Sequence, residues 1–389
     1  MIGIRRSFVR VLALTVCVAL LTSAPAIQAF RTDDMHRSLE FLAIKAPNGV
    51  GQTLDLYEAM QALRIQTASI ALIDGGEIAW TEAIGSECAE PIYQAASLSK
   101  LVTAVVALRL VDKGVLSLDA PVDGILKRWT SARPPITDGL PVTLRLLLSM
   151  RAGINVPSFR GYAIGSSLPT LPQILDGTPP ANSPPVAVVA QPGNQYAYSG
   201  GGYEVVEALI EDATRRRFAD VAAEQVLNPL GMASSTFSYP LPPALLQCVA
   251  RGHTANGQEI SGGWRVTPEL AAAGLWSTPS DLAKLLIAIT DVYQARSRFL
   301  NPDTVEAMLE RVGDGPYGLG AAVHGAGDDV VLMKRGHNVG YQSYLLMFPA
   351  RGQGIVVMTD SDRGFVLANA LVRRAAEVYS WPAVGALAN

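Results

Sequence analysis

The chain has 389 residues, 49% of them hydrophobic and 17% charged, enough to bury a large core in one or two lobes. A formal charge of −3 without any basic patch argues against a nucleic-acid partner. Four scattered histidines, His36, His253, His324 and His337, show no paired ligand spacing, so neither a metal nor another cofactor is expected.

Residues 1–10 carry Arg5, Arg6 and Arg10 and no acid; an apolar run from Val11 to Leu21 and then small residues follow, the pattern of a secretory signal peptide. An apolar core of about a dozen residues falls short of the roughly 20 needed to span a bilayer. Ile27-Gln28-Ala29 and Ala24-Pro25-Ala26 both satisfy the small-residue rule for cleavage. The preferred cut, after Ala29, divides the chain into a signal at 1–29 and a mature protein at 30–389, periplasmic or secreted. Losing three arginines and no acids takes the formal charge to about −6. Val16 is not the small residue that lipid attachment at Cys17 would need. Of the mature cysteines, Cys88 and Cys248 could pair in an oxidising compartment or stay as two buried thiols, and their spacing does not choose.

In chain order, residues 30–52 read as an N-terminal arm with a short helical piece. Thr67 to Ile73 and Glu77 to Ala83 flank the turn Asp74-Gly75-Gly76 and form a hairpin. Ser97 to Lys113 contains no Gly or Pro and is mostly apolar, with Gly114 as a left-handed stop; this predicts a buried helix. Thr143 to Met150 is a short helix, and the seven prolines between Pro169 and Pro192 predict an ordered, extended loop. Tyr203 to Thr214 is a longer helix. Thr278-Pro279-Ser280-Asp281 starts another, with Leu282, Leu285, Leu286 and Ile289 as its buried face. Val330 to Lys334, Tyr341 to Phe348 and Gly354 to Thr359 are strands, and Phe365 to Tyr379 is a closing helix. The fold class is therefore α+β: an antiparallel sheet built by the two ends of the chain (about 53–96 and 311–389), flanked by helices, with a mostly helical insertion (about 97–310).

Three short stretches carry chemistry. On a helix Ser97 and Lys100 are neighbours, so the lysine nitrogen can take the proton that makes a serine hydroxyl nucleophilic. Tyr198, on the loop Gln191 to Gly202 just before a helix, can point its oxygen into a cleft where a nearby lysine favours the phenolate. In Lys334-Arg335-Gly336-His337 a cation would meet a substrate carboxylate, and Gly336 would let a substrate backbone approach the strand. The N–H of His337 could join that of Ser97 as an oxyanion hole.

In this order the motifs resemble those of the serine β-lactamase and penicillin-binding protein superfamily: Ser-x-x-Lys, Tyr-x-Asn or a variant, and Lys-Thr-Gly or a variant. The resemblance is strongest to the class C β-lactamase-like branch, which also holds D-alanyl-D-alanine carboxypeptidases, D-aminopeptidases and esterases. Val111 to Asp119, Tyr198 to Glu211, Ala272 to Leu282 and Tyr317 to Gly320 are similar to that branch as well, so the likeness covers nearly all of 53–379. It implies Ser97 as the acylated serine, Lys100 as its base and Tyr198 as the proton shuttle. Lys334 and Gly336 would bind substrate, and His337 would donate to the oxyanion. The implied protein is a secreted hydrolase, acting as a monomer on a β-lactam, a D-amino-acid peptide or an ester; the other reading is a non-catalytic cell-envelope protein that binds peptidoglycan peptides or a partner.

Three departures stand out. Gly200 occupies the place of an amide-bearing Asn, which counts against penicillin hydrolysis. Arg335 replaces a small hydroxyl residue, and Met150 stands where a His is expected after Leu146-Leu147-Leu148. A shifted alignment would give the motif-three cation to His337; Lys334 is preferred because Gly336 then falls where the motif needs it.

Overall fold

The central strands are largely apolar, and both of their faces are covered. In the computed structural model, which describes residues 34–382 apart from 36, 40, 46–48 and 130–140, a short hairpin of β1 (Leu42–Lys45) and β2 (Gly51–Leu54) leads into helix α1 (Leu56–Leu63). The hairpin β3 (Ala68–Asp74) and β4 (Glu77–Ile84) follows, then β5 (Tyr93–Gln94), helix α2 (Ser99–Asp112) and helix α3 (Gly201–Thr214). After β6 (Trp276–Ser277) come helix α4 (Pro279–Tyr293), β7 (Ala322–His324), β8 (Val331–Asn338), β9 (Tyr341–Phe348), β10 (Gln353–Thr359) and helix α5 (Gly364–Tyr379). The expected signal peptide lies outside the described residues.

One six-stranded antiparallel sheet runs β4-β3-β10-β9-β8-β7, so the first hairpin meets the last strand and the two ends of the chain build one layer. Alternation along the strands sorts the core. Ile70, Leu72, Tyr344, Leu346, Phe348, Ile355 and Val357 pack with Met60 and Leu63 of α1 and Leu367 and Leu371 of α5. Their neighbours Ala71, Ile73, Leu345, Met347, Val356 and Met358 join Leu282, Leu285, Leu286 and Ile289 of α4 and, beyond them, the helical region. Antiparallel sheets often leave one face to water; helices on both faces here explain why these strands lack polar alternation.

Local signals behave as their chemistry requires. Thr278 accepts a hydrogen bond from the Asp281 N–H (3.2 Å) and caps α4, with Pro279 in its first turn. Thr143 caps the short helix Leu144–Leu148 in the same way through the Leu146 N–H (3.3 Å). Some boundaries differ from expectation. The helix expected from Ser97 begins at Ser99, because Ala96–Leu98 forms a tighter 3₁₀ turn. The proline-rich loop contains the short helix Leu171–Asp176, started by Thr170 and Gln173. The arm over 30–52 holds the β1–β2 hairpin, and β8 continues through Asn338, so the third motif lies inside a strand and not at its end. Among the described residues no helix is long and apolar enough to cross a membrane.

Cys88 and Cys248 form a disulfide, their Cα atoms 5.6 Å apart across 160 positions of sequence. A crosslink closing so long a loop restricts the unfolded chain strongly, and native bridges of this kind contribute about 2–5 kcal/mol. Replacing both cysteines by serine should lower stability by that amount in a denaturant titration. An unchanged midpoint would mean that the bridge carries no stability.

Candidate active site

The site begins with a strained turn. β5 pairs with β6, and the chain then reverses through Ala96, whose φ of 50° lies in the left-handed region that alanine rarely adopts. The reversal brings Ser97 to the N-terminal end of α2 and against the edge of β8. Strand and turn approach so closely that a Cβ on Gly336 would lie 2.4 Å from the Ala95 carbonyl oxygen and 3.1 Å from the Ser97 nitrogen. Only glycine fits there. The exposed edge of β8 exists because β7 pairs only with Val331, Leu332 and Met333, leaving Lys334 to Asn338 facing the turn.

Around Ser97 the structure brings together Lys100, Tyr198 and Lys334. Lys100 Nζ donates to Ser97 Oγ (3.1 Å) and to the Ala272 carbonyl (2.8 Å), and Tyr198 Oη contacts Ser97 Oγ at 2.9 Å. Lys334 Nζ donates to Tyr317 Oη (2.8 Å) and lies 5.0 Å from the Tyr198 ring centroid, with Lys100 Nζ 5.3 Å away. Both lysines are buried, 2% and 1% exposed. Burial alone would raise the Tyr198 pKa; the charges of Lys100 and Lys334 and the hydrogen bonds from Ser97 and Lys100 outweigh it, and the phenol is pulled from 10.0 down to about 7. Lys334 is pushed down to about 8, by burial first and by Lys100, with Tyr198 opposing. Tyr317, buried beside them, is held well above the usual phenol range by desolvation and by the Tyr198 charge. It therefore stays a neutral acceptor for Lys334.

Lys100 is held by a backbone segment that sequence reading did not single out for this role. In the turn Leu270–Ala273 the Ala271 carbonyl accepts from Thr103 Oγ1 (2.9 Å), and the N–H groups of Ala271 and Ala272 donate to Glu207 (2.9 Å) and Glu204 (3.1 Å) on α3. Ser99 Oγ accepts from the Leu275 N–H (3.0 Å) and donates to Ala96 O (2.6 Å), tying the segment to the strained turn. Glu204, Glu207 and Glu269 are buried carboxyls. Desolvation raises Glu204 well above the carboxylate range, Glu207 to about 8 and Glu269 to about 7, so that Glu204 and Glu207 favour their neutral forms near pH 7. The signal that could have revealed Glu204 and Glu207 is a pair of acids three residues apart within the apolar stretch Tyr203 to Ile210 of α3.

The departures from the family pattern acquire structural reasons. Met150, at φ 62°, holds the tyrosine loop: its carbonyl accepts from the Ala197 N–H (2.8 Å) and its sulfur from the Ser199 N–H (3.3 Å). Gly200 is tightly bordered: a Cβ would sit 3.1 Å from the Phe159 ring and 3.2 Å from the Pro157 carbonyl oxygen, so a side chain there requires these neighbours to give by a few tenths of an ångström. Arg335 stacks over Tyr344 and Phe365 and donates to Asn369 Oδ1 (3.2 Å), so its guanidinium is held by α5 and the sheet. The His337 ring pairs with Asp362 (3.1 Å), while Lys334 occupies the place beside Tyr198. Among the described residues no group of three or more His, Cys, Asp or Glu is placed to hold a metal ion.

These groups open onto a cleft of ≈ 980 Å³ lined by Ser97, Tyr198, Tyr317 and Lys334 together with Phe159 and Phe365. A serine beside one lysine and a tyrosine, backed by a second lysine on a sheet edge, is the arrangement of serine acyl-transfer enzymes of the β-lactamase and penicillin-binding type. The chain belongs to the Beta-lactamase family, whose model matches residues 55–379, and is a β-lactamase-family hydrolase. It is 23% identical over 294 residues to the D-alanyl-D-alanine-carboxypeptidase/endopeptidase AmpH of Escherichia coli, covering 70% of this chain and 72% of that protein. The octameric penicillin-binding protein homologue of Pyrococcus abyssi superposes with a TM-score of 0.67 at 22% identity, over 84% of this chain and 76% of its own. The D-amino acid amidase of Ochrobactrum anthropi gives 0.65 at 22%, over 83% and 96%. Both share the fold.

Gly336→Ala tests the close approach of strand and turn. The added methyl has to displace backbone, so the variant should lose at least about 1 kcal/mol of stability and most of its covalent labelling at Ser97. Wild-type labelling and stability would show that the approach is not required.

Proposed function

We propose that the protein is an exported serine hydrolase that cleaves an amide or ester bond at a D-amino-acid residue through an acyl-enzyme on Ser97. The carrying observation is that Ser97 Oγ lies within hydrogen-bond reach of both Lys100 Nζ (3.1 Å) and Tyr198 Oη (2.9 Å). Above about pH 7 the phenol is ionised, and the same contact then runs from the serine hydroxyl to the phenolate.

Ser97 Oγ attacks the substrate carbonyl carbon as its proton passes to the Lys100–Tyr198 pair, and negative charge develops on the carbonyl oxygen. The N–H groups of Ser97 and His337 receive that oxygen. Asn338 and Tyr341 close the hairpin across Val339-Gly340, so antiparallel alternation turns the His337 N–H away from β9, which supports this role. Collapse breaks the C–N or C–O bond, and Tyr198 returns the proton to the leaving amine or alcohol. Water then attacks the acyl-enzyme, giving its proton to the same pair; the acid departs and Ser97 regains its hydroxyl. Lys334 stabilises the phenolate and attracts a substrate carboxylate, while Gly336, expected to leave room for a substrate backbone, instead lets β8 close on the Ser97 turn, because the space a side chain would need there is taken by the Ala95 carbonyl.

The choice of D-amino-acid substrates is supported by the similarity to a carboxypeptidase/endopeptidase and an amidase that carry such names. Gly200, closely bordered by Phe159 and Pro157, supplies no amide side chain, which speaks against a β-lactamase that relies on an asparagine there. Export to the periplasm or medium is supported by the N-terminal pattern of residues 1–29 and by a disulfide that persists only in an oxidising compartment.

Incubation with a fluorophosphonate, read by intact-mass spectrometry, should add one adduct at Ser97 and none in Ser97→Ala. Lys100→Ala should slow acylation by about a hundred- to ten-thousandfold. Full turnover by Ser97→Ala would remove Ser97 as the nucleophile, and an unlabelled wild-type protein would favour a non-catalytic binding role.

A further inference from the structure

The cleft is lined by Arg160, Arg265, Lys334 and Arg335, and no aspartate or glutamate lines it, in a chain whose net charge is −3. Lys334, beside Tyr317 and Tyr198, already serves the first substrate carboxylate in the proposed mechanism, and Arg335 is held by Asn369 and two aromatic rings. Arg160 and Arg265 are different. Arg160 is exposed, and Arg265 Nη2 makes only a 3.2 Å bond to the Gly161 carbonyl. The Arg265 Nε is buried with no acceptor. Elsewhere arginines of this chain meet carboxylates, as Arg145 does Asp119, Arg251 does Glu259 and Arg296 does Asp291. On the cleft rim no carboxylate of the described residues comes within ion-pair distance of Arg160 or Arg265.

The rim is also held in place. Tyr162 and Val266 exchange two backbone hydrogen bonds of 2.7 Å, which sets Arg160 and Arg265 on adjoining segments. The Arg265 carbonyl accepts from Gln94 Nε2 at 2.6 Å, three positions before the nucleophile, so this rim is tied to the Ser97 turn. Guanidinium groups with free donors bind carboxylates through paired, charge-assisted hydrogen bonds, and a cleft wall lowers the screening that weakens such pairs in open water.

We propose that Arg160 and Arg265 form a second anion subsite, so that the substrate carries two negative groups: one drawn toward Lys334 and another, such as a side-chain carboxylate, received by these arginines. This deepens the acyl-enzyme reading, on which it rests for placing the substrate in this cleft. It makes the protein selective for acidic D-amino-acid derivatives over neutral ones of the same shape.

N-acetyl-D-glutamate and N-acetyl-D-glutamine differ by one carboxylate at nearly equal size, and calorimetric titration of the full mature protein with each isolates that charge. The glutamate derivative should bind at least about tenfold more tightly, a difference of about 1.4 kcal/mol, and the preference should shrink as sodium chloride is raised. In the Arg160→Gln/Arg265→Gln double variant the ratio of affinities should fall close to one, with folding followed by thermal melting. Arg160→Gln alone, a change at an exposed position, should lose part of the preference and guards against a folding failure of the double variant. Equal affinities in the wild type, including no detectable binding of either compound, would overturn the subsite, as would a preference that survives in the variants. Fluorophosphonate labelling separates the two claims: a charge preference without labelling of Ser97 removes the acyl-enzyme and leaves the anion subsite, whereas labelling without a preference does the reverse.

Discussion

Two buried lysine side chains close to one partly buried phenol are the interaction on which the rest of the site depends. Taking Lys100, Lys334 and Tyr198 out of water is costly, and each is tolerated only because the others and a few fixed dipoles surround it. Ser97 would be an ordinary hydroxyl without a group beside it ready to receive a proton. Lys100 and Lys334 create that group by lowering the pKa of Tyr198. The remainder of the site keeps the three in place: Tyr317 on Lys334, the Ala272 carbonyl on Lys100, and the Met150 backbone under the tyrosine loop.

The fold supplies this arrangement by bringing distant segments to one seam. Both chain ends form the sheet, so β8 presents an edge to the turn at Ser97, and Gly336 permits the contact. On the other side α2 and α3 grip the Leu270–Ala273 segment through Thr103, Lys100, Glu204 and Glu207. Neutral carboxylic acids suit that grip, since a buried carboxyl can accept from a backbone N–H without a full charge. The same segment thereby fixes the position of the lysine that touches the nucleophile.

Much of the fold and site was legible in the sequence, for identifiable reasons. Hydrophobic runs of strand length with Gly-bearing turns place β3, β4, β9 and β10, and Thr278-Pro279 marks the start of α4, because both signals are local. The three-residue spacing of Ser97 and Lys100 puts them side by side whichever helical turn carries them. What stayed hidden depends on tertiary contact. The left-handed conformation of Ala96 is imposed by its surroundings and leaves no mark in an alanine. The β1–β2 hairpin is short, and β2 is largely exposed, so it has little apolar pattern to read. Glu204, Glu207 and Glu269 resemble surface acids until the fold surrounds them. Pairing of Cys88 with Cys248 follows from a 5.6 Å Cα separation that only the folded chain defines.

The ionisation of Tyr198 tests this account most directly. With tyrosine carrying ¹³C at Cζ, the chemical shift followed from pH 5 to 11 and assigned by its loss in Tyr198→Phe reports when the phenol gives up its proton. The account predicts a midpoint at about 7, well below the ordinary value of 10.0, because Lys100 and Lys334 favour the phenolate. A midpoint at or above that ordinary value would mean that burial outweighs the two lysines. Tyr198 would then be no proton acceptor for Ser97 at neutral pH, and the proposed mechanism would fail at its first step.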